Sequence, residues 1–314
     1  MRTFLLLGVL AAAATGAGFD GRWNIKVQNE PRGRVWWLEV EGSGTPQLRG
    51  MFVGAVGGQL DKISAIRIDK GELVFEFERR YSGNKAEEPR KGTYRAKLDG
   101  DGKLQGTLSV AGSPELGRSW IGVRSPVLPD KDDGSWKKGK PVELFDGKSV
   151  AGWSAMIPNV SLGWAVKEGL LGNSIGANNL ISTQKFWNFD LHMEYRLGKG
   201  SNSGVGLRGR YEVQIFDDFG QPPSQHGNGA IYSRMAPSTN ASKAPGEWQT
   251  FDIRLIGRFA TVVLNGTKVV DKFEIAGLTA IANDANEALP GAITIQGDHG
   301  AVEFRKITLT PLTK

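Results

Sequence analysis

Three polar side chains follow one another at strand-like spacing in the second half of the chain. Glu212 and Gln214 occupy alternate positions of an otherwise apolar run that contains Val213 and Ile215, and Asp217 closes the run. Because successive side chains of a strand point to opposite faces, Glu212 and Gln214 share one face and the two apolar side chains share the other. A carboxyl group and an amide on one face can transfer a proton and hold ligand hydroxyl groups. The pattern predicts a polar site on this strand, and the alternative is that both side chains simply face solvent.

The spacing of Glu at i, Gln at i+2 and Asp at i+5 follows the Glu-x-Asp-x-x-Glu pattern of jelly-roll glucanases. Double displacement by such enzymes needs two ionisable carboxyl groups about 5 Å apart across the glycosidic bond. Here the middle side chain is Gln214, which cannot ionise, and the last is Asp217, which is one methylene shorter than Glu. Ordinary two-carboxylate hydrolysis is therefore not expected from this segment.

One of the three histidines is placed as a proton-transfer group. His299 lies in a glycine-flanked loop after an apolar run, and the adjacent Asp298 could orient its ring. The alternative is a turn histidine bonded to the backbone. His226 lies in the polar loop 220–228, which is either an ordinary surface loop or a lid, and His192 alternates with core residues as a structural histidine would.

Composition removes several classes of site. The absence of cysteine excludes disulfides, thiol nucleophiles and thiolate metal sites. The formal charge of +6 comes from basic residues scattered among acidic ones, so no nucleic-acid partner is predicted. The histidines lack metal-ligand spacing, which predicts no transition-metal site, although carboxylate and amide oxygens could hold a hard divalent cation such as Ca²⁺. The sequence also lacks a P-loop, a dinucleotide-binding glycine motif and a Gly-x-Ser-x-Gly motif.

The elements that must position these residues are strands. Among the 314 residues are 43 glycines, and short alternating apolar segments separated by Gly, Asp and Asn turns recur along the chain. Residues 1–17 have the pattern of a signal peptide, which predicts a periplasmic or secreted protein without a membrane span. Residues 18–125 predict a small antiparallel β-barrel or sandwich, 126–140 a linker, and 141–314 a jelly-roll sandwich. The predicted class is all-β, and 276–288 is the only candidate segment for a short helix.

Several aromatic residues could stack on the apolar face of a sugar ring. Trp36 and Trp37 are neighbours in a predicted strand, so only one of them can face the interior of the first domain, where it could line a small cavity with Phe52. This favours an accessory carbohydrate-binding or substrate-holding role for that domain over a purely structural one. The aromatic candidates in the second domain are Trp164, Trp187, Trp248 and Tyr232.

A series of motifs in the second half has a familiar order. These motifs are Leu144-Phe145-Asp146-Gly147-Lys148, Gly152-Trp153, Trp164-x-Val166, Asn202-Ser203-Gly204-Val205, Glu212-Val213-Gln214-Ile215, Gly229-Ala230-Ile231-Tyr232, Gly246-Glu247-Trp248, Leu264-Asn265-Gly266 and Gln296-Gly297-Asp298-His299-Gly300. Across about residues 141–312 the chain resembles the 3-keto-disaccharide hydrolase family. It departs from the family pattern at Gln249, where Asn is usual, and at Gly297, which precedes the Asp-His pair.

The resemblance implies a concanavalin A-like fold and the cleavage of glycosides that carry a ketone at sugar C3. Such a ketone acidifies the C2 hydrogen, so a base can form an enolate, the C1 oxygen can leave by β-elimination, and water addition completes net hydrolysis. On this basis His299, oriented by Asp298, is the expected proton-transfer residue, with Glu212 as the alternative base or as the acid to the leaving group. The expected substrate-binding side chains are Asn202, Arg208, Gln214, Asp217, Tyr232, Trp248 and Gln296.

The same resemblance implies an oligosaccharide or glycoside substrate and a partner oxidoreductase that supplies its 3-keto form. Two other functions stay open at this point. One is a non-catalytic, lectin-like carbohydrate-binding protein that uses the same polar face. The other is a conventional endoglucanase, against which the missing second Glu argues.

Overall fold

The computed structural model describes residues 18–30, 33–54, 58–81 and 88–314, so the predicted signal peptide lies outside the described residues. The predicted all-β class is confirmed, since the helical content of these ranges is a single 3₁₀ turn at Pro114–Leu116. In the part of the chain that the structure describes, no helix is of a length and apolar character that would let it cross a bilayer.

The first half of the chain forms one curled antiparallel sheet of nine strands. These strands are β1 Gly21–Val27, β2 Val35–Glu41, β3 Arg49–Val53, β4 Leu60–Lys62, β5 Ala65–Asp69, β6 Glu72–Arg79, β7 Arg90–Leu98, β8 Leu104–Val110 and β9 Arg118–Arg124. Their order across the sheet is β4-β3-β2-β1-β9-β8-β7-β6-β5. The strict alternation of buried and exposed residues along β8 shows how one face is turned inward. That face encloses an aromatic core in which the rings of Trp36, Phe52, Phe75 and Tyr94 pack together.

The second half forms a sandwich of two antiparallel sheets, as the alternation predicts. Its strands are β10 Lys137–Lys138, β11 Val142–Phe145, β12 Trp153–Ala155, β13 Trp164–Lys167, β14 Leu170–Asn173, β15 Leu180–Phe186, β16 Phe189–Leu197, β17 Asn202–Leu207, β18 Tyr211–Phe216, β19 Gln249–Ile256, β20 Phe259–Leu264, β21 Thr267–Glu274, β22 Gly291–Ile295 and β23 Val302–Thr313. One sheet has the order β13-β14-β23-β16-β19-β20-β21, and β10 and β11 also pair with β23. The five-stranded sheet has the order β12-β15-β22-β17-β18, which places the polar strand β18 at its edge.

The candidate segment 276–288 does not form a helix, because it consists of turns and coil. Its backbone N–H groups are used elsewhere. The amide of Thr279 donates to the carbonyl of Arg210, and that of Asn283 donates to the carbonyl of Gly209, each at 3.0 Å. Since these donors bond to the turn between β17 and β18, they cannot build the i to i−4 ladder of a helix.

Strand β2 joins the two halves because it is buried on both faces. Trp36 packs in the core of the first sheet, while Trp37 points the other way and belongs to the core of the sandwich. The guanidinium of Arg234 lies 4.5 Å from the centre of the Trp37 ring. A Cβ at Gly277 would approach Trp37 Nε1 to 2.0 Å, so only glycine fits beside the indole. The adjacent tryptophans thus anchor one strand in two cores.

A buried polar cluster, the Glu287 cluster, makes a second connection between the halves. Glu287 has no solvent-exposed surface and accepts hydrogen bonds from Asn24 Nδ2 at 2.7 Å and from the Tyr211 hydroxyl at 2.5 Å. Arg258 donates to both carboxylate oxygens, through Nε at 3.0 Å and Nη2 at 2.9 Å. Arg258 also donates to the carbonyl of Pro126 at 2.9 Å. One carboxylate therefore ties β1, the start of the predicted linker and the sandwich together.

Candidate active site

A cavity of about 710 Å³ lies against the outer face of the five-stranded sheet. Its size is within the usual range of small-molecule sites. The polar side chains around it come from the sandwich and its loops: Asn179, Asn202, Glu212, Gln214, Tyr232, Asn283, Gln296, Asp298 and His299. A second group of lining residues, the first-sheet wall, comes from the first half of the chain: Arg34, Val35, Trp36, Val53, Gly54, Gly58 and Tyr81.

Strand β18 places Glu212 and Gln214 at this cavity as its alternation predicts. Val213 and Ile215 are buried in the core of the sandwich, and the two polar side chains project from the other face. Only 2% of Glu212 is exposed, so the alternative of a simple solvent-facing strand does not hold. A Cβ at Gly204, on the neighbouring strand, would come within 2.5 Å of Glu212 Oε1. A glycine at position 204 therefore makes room for the carboxyl group.

The carboxyl group of Glu212 is in an unusual electrostatic setting. Burial raises its pKa to about 8, although the charge of His299 acts in the opposite direction. Oε2 makes no hydrogen bond with any described residue. The backbone N–H of the same residue donates to Thr279 Oγ1 at 2.9 Å, which fixes the strand against the 276–288 segment. Glu212 is thus mainly protonated at neutral pH and can give up a proton there.

The amide of Gln214 is oriented by its neighbours. With its nitrogen turned toward the backbone, it donates to the carbonyl of Ser203 at 3.1 Å and to Glu212 Oε1 at 3.3 Å. In the opposite orientation the amide oxygen of Gln214 would face the carbonyl oxygen of Ser203. Two acceptors cannot form a hydrogen bond, so this orientation is disfavoured. The remaining amide atom faces Asn202 at 3.1 Å. Oε1 of Glu212 then accepts a hydrogen bond, whereas Oε2 has no partner among the described residues.

The loop after β22 carries the predicted imidazole to the same cavity. His299 Nδ1 lies 2.8 Å from Asp298 Oδ1, and His299 is half exposed. A carboxylate acceptor at Nδ1 favours the Nδ1–H tautomer, in which Nε2 holds the lone pair. The loop is held by Asn173 Nδ2, which donates to the carbonyls of Gly297 and Gly300, each at 2.9 Å. The geometry therefore suits Nε2 for accepting a proton.

Tyr232 also borders the cavity, as predicted. Burial and the nearby charge of Glu212 both raise the pKa of its hydroxyl. Its backbone N–H donates to the carbonyl of Glu212 at 3.0 Å, so the segment after 228 runs beside β18. The ring of His226 lies 4.9 Å from the Tyr232 ring, so this histidine supports the cavity from behind. His192 lies on the other sheet, where Nδ1 is 2.7 Å from Asp252 Oδ1.

Three of the predicted substrate-binding residues do not line the cavity. Arg208 is completely buried, donates to the carbonyl of Gly257, and lies with its guanidinium 4.4 Å from the centre of the Trp187 ring. The physical reason is its left-handed backbone, with φ of 56° in the turn between β17 and β18, which directs the side chain away from the polar face. Asp217 accepts a hydrogen bond from the backbone N–H of Gly200 at 2.7 Å and so fixes a turn.

Trp248 is the third residue that the structure places elsewhere. The guanidinium of Arg305 lies 4.5 Å and that of Arg196 5.0 Å from the centre of its ring. Both arginines belong to the nine-stranded sheet of the sandwich, on β23 and β16. Trp248 therefore stabilises the surface of that sheet.

Sequence reasoning missed two amides at the cavity, Asn179 and Asn283, and the entire first-sheet wall. The signal for Asn179 is weak, because it lies between a loop and β15 without periodic neighbours. The side chain of Asn179 accepts a hydrogen bond from the backbone N–H of Gly297 at 2.8 Å, so it also positions the loop that carries His299.

The hard divalent cation that the sequence leaves open has no grouped set of ligands among the residues that the structure describes. Within those ranges no three His, Asp or Glu side chains are grouped as a metal-binding set. Asp218 is used in hydrogen bonding, since it accepts from Ser242 Oγ at 2.7 Å and from the backbone N–H of Asn228 at 2.9 Å.

Comparison with known proteins bears on the second half of the chain. Residues 140–310 match the family model of the 3-keto-alpha-glucoside-1,2-lyase-like domain. A 3-keto-disaccharide hydrolase of Bacteroides thetaiotaomicron is 34% identical over 74 residues, which are 20% of this chain and 26% of that protein. The chain therefore matches about a quarter of the length of that relative.

Two solved structures from Parabacteroides distasonis, both provisionally described as glycosyl hydrolases, are similar in fold. One is 24% identical with a TM-score of 0.47 and covers 60% of this chain and 93% of its own. The other is 26% identical with a TM-score of 0.44 and covers 55% of this chain and 100% of its own.

Proposed function

We propose that this chain, which belongs to the 3-keto-α-glucoside-1,2-lyase-like family, is an enzyme that cleaves glycosides carrying a ketone at C3 of the sugar. The observation that carries the proposal is the pairing of two different proton-transfer groups at one cavity. One is the buried, protonated carboxyl of Glu212, and the other is the His299 imidazole bonded to Asp298. Groups whose surroundings separate their protonation states can act as acid and base in one reaction.

In the first step His299 Nε2 removes the hydrogen from C2, and its electron pair forms an enolate with the C3 carbonyl. The C3 carbonyl makes this hydrogen acidic, so a neutral imidazole is a sufficient base. Negative charge collects on the C3 oxygen. Side-chain amides of Asn202 and Gln296 border the same cavity and supply donors for that oxygen and for the ring hydroxyl groups.

In the second step the enolate re-forms the C3 carbonyl and expels the C1 oxygen, which leaves a C1–C2 double bond. Glu212 protonates the leaving oxygen and becomes a carboxylate. Net hydrolysis follows when Glu212 takes a proton from water as the hydroxyl adds to C1, and His299 returns its proton to C2. Both residues then regain their starting states. This route needs no second carboxylate, which agrees with Gln214 in the middle of the motif.

The proposal includes the setting of the reaction. Because the substrate must already be oxidised at C3, a separate oxidoreductase has to supply it. The signal-peptide pattern at 1–17 favours the periplasm or the exterior of the cell as the place where both act.

Incubation with 3-keto-trehalose and with methyl 3-keto-α-glucoside tests the function. We expect release of the leaving group from both, with a transient enone absorbance in the ultraviolet, and no release from unoxidised trehalose, whose C2 hydrogen is not acidic. Binding of these sugars without turnover would instead support the lectin-like alternative, and release of reducing ends from a β-glucan would support an endoglucanase.

The rate should depend on pH through Glu212. Its pKa of about 8 means that the protonated acid is present below this pH and lost above it. We therefore expect kcat/KM for 3-keto-trehalose to fall about tenfold per pH unit above pH 8. A profile from pH 6 to 10 checks this, and a rate that stays constant up to pH 9.5 would contradict the acid role.

A further inference from the structure

The cavity has two unequal sides. All of its carboxyl, imidazole and amide side chains come from the sandwich and its loops, among them Glu212 and His299. On the first-sheet wall Trp36, Tyr81 and Val53 are at most 9% exposed, and among its described residues the charged side chain is that of Arg34, which is 42% exposed. This wall lies outside residues 140–310, the part of the chain that the family model covers.

This asymmetry orients a bound glycoside. The reacting ring must lie where His299 and Glu212 can reach C2 and the C1 oxygen, which is the side built by the sandwich. The group attached to C1 then extends toward the remaining lining surface. An exposed guanidinium beside closely packed apolar residues suits a second sugar ring, because the ring hydroxyl groups accept hydrogen bonds from Arg.

The first-sheet wall is fixed relative to the sandwich. The backbone N–H of Leu60 donates to Ser233 Oγ at 2.9 Å, one residue beyond Tyr232. Trp36 is held from behind by the rings of Phe52 at 5.8 Å and Tyr94 at 5.7 Å. The wall is therefore a preformed surface, which lowers the entropic cost of binding a ligand against it.

Arg34 is the polar group of this wall. Glu30 holds it from one side, because the backbone N–H of Arg34 donates to Glu30 Oε2 at 2.9 Å and Nε lies 3.6 Å from Glu30 Oε1. Among the described residues, the two terminal nitrogens of Arg34 enter no hydrogen bond or ion pair. The guanidinium is thus positioned through Nε, with donors left for a ligand.

We infer that the first-sheet wall is the leaving-group subsite and that Arg34 selects substrates whose leaving group is a second sugar. The inference rests on the proposed function. It changes the expected accessory role of the first domain into a direct share in the active site. A substrate with a small leaving group would not reach Arg34, so selection should appear as a difference between substrates.

Arg34→Ala and Arg34→Lys test this with 3-keto-trehalose, which releases a hexose, and methyl 3-keto-α-glucoside, which releases methanol. We expect Arg34→Ala to lower kcat/KM for 3-keto-trehalose about tenfold or more and to change the methyl glycoside less than twofold. The kcat/KM of Arg34→Lys for 3-keto-trehalose should lie between the values of the wild type and Arg34→Ala, because lysine keeps the charge and lacks the planar donors. The matched control is Arg67→Ala, an exposed arginine of the same sheet that pairs with Glu76 and does not border the cavity. This control variant should leave kcat/KM unchanged for both substrates.

The inference would be overturned if Arg34→Ala lowered kcat/KM equally for both substrates or lowered it for neither. If the wild-type protein turns over neither substrate, the proposed function fails, and the subsite is then tested by titration calorimetry with unoxidised trehalose and methyl α-glucoside. Weaker binding of trehalose alone by Arg34→Ala supports the subsite, and unchanged binding of trehalose overturns it.

Discussion

Replacing Glu212 by Gln is expected to reduce turnover of 3-keto-trehalose by roughly 10²- to 10⁴-fold, the usual contribution of a general acid. Gln has nearly the same shape but no proton to give to the leaving oxygen. On 4-nitrophenyl 3-keto-glucoside the same variant should lose less than about tenfold, because nitrophenolate leaves without protonation. Initial rates on the two substrates separate the role of acid from a general loss of structure.

His299→Ala should behave differently, because removal of the C2 hydrogen is needed whichever group leaves. We expect losses of roughly 10²- to 10⁴-fold on both substrates. Equal losses for Glu212→Gln on both substrates would show that Glu212 is not the acid, and near wild-type rates in both variants would remove both residues from the reaction.

Stability provides the folding control for Glu212→Gln. The pKa of Glu212 is about 8 in the folded protein against 4.5 for an ordinary glutamate, so the folded state holds more protons between these values. Wild-type stability should therefore fall as pH rises through this window, and the variant should escape the loss. Urea unfolding at pH 5 and pH 9 measures this. At the higher pH the free energy of unfolding of the variant should rise relative to that of the wild type by on the order of a few kcal/mol.

Removing the carboxylate of the Glu287 cluster is expected to destabilise the protein by about 3–5 kcal/mol. Glu287→Ala leaves the guanidinium of Arg258 buried without its partner, and it also removes the acceptor of Asn24 and Tyr211. Urea unfolding at pH 7 measures the effect.

The pKa of Glu287 is lowered, because the hydrogen bond and charge of Arg258 outweigh burial. The difference in free energy of unfolding between wild type and variant should therefore shrink as pH falls below 4.5, the ordinary pKa of a glutamate.

The matched control is Glu72→Ala. Glu72 also pairs with two basic side chains, Arg95 and Lys97, but it does so on the surface of the first sheet. Exposed ion pairs contribute little because water screens them. A loss for Glu287→Ala no larger than that for Glu72→Ala would contradict a stabilising role for the buried cluster.

Local alternation predicts the strands of the sandwich well. Strands β16, β18 and β19 each bury every second side chain in one core, and the apolar residues alternate in their sequences accordingly. β21 was not predicted. Its pairing with β20 contains two register irregularities, and Lys272 has a positive φ of 44°, so its apolar residues do not alternate.

The site could be predicted where it depends on one strand or one loop. Alternation places Glu212 and Gln214 together, and the adjacent Asp298 and His299 follow from sequence. Arg208 could not be placed, because its direction depends on a left-handed turn residue and on a carbonyl acceptor 49 positions away. The first-sheet wall is also beyond local reasoning, since no periodicity in 34–81 shows which surface meets the sandwich.

The opposite orientations of Trp36 and Trp37 limit how this strand can change during evolution. Inserting or deleting one residue just before the pair would exchange the environments of the two indoles, because side chains of a strand alternate with a period of two. Each indole would then enter a space shaped for the other. Length changes should therefore be rare in β2 among descendants of this protein and confined to its flanking loops.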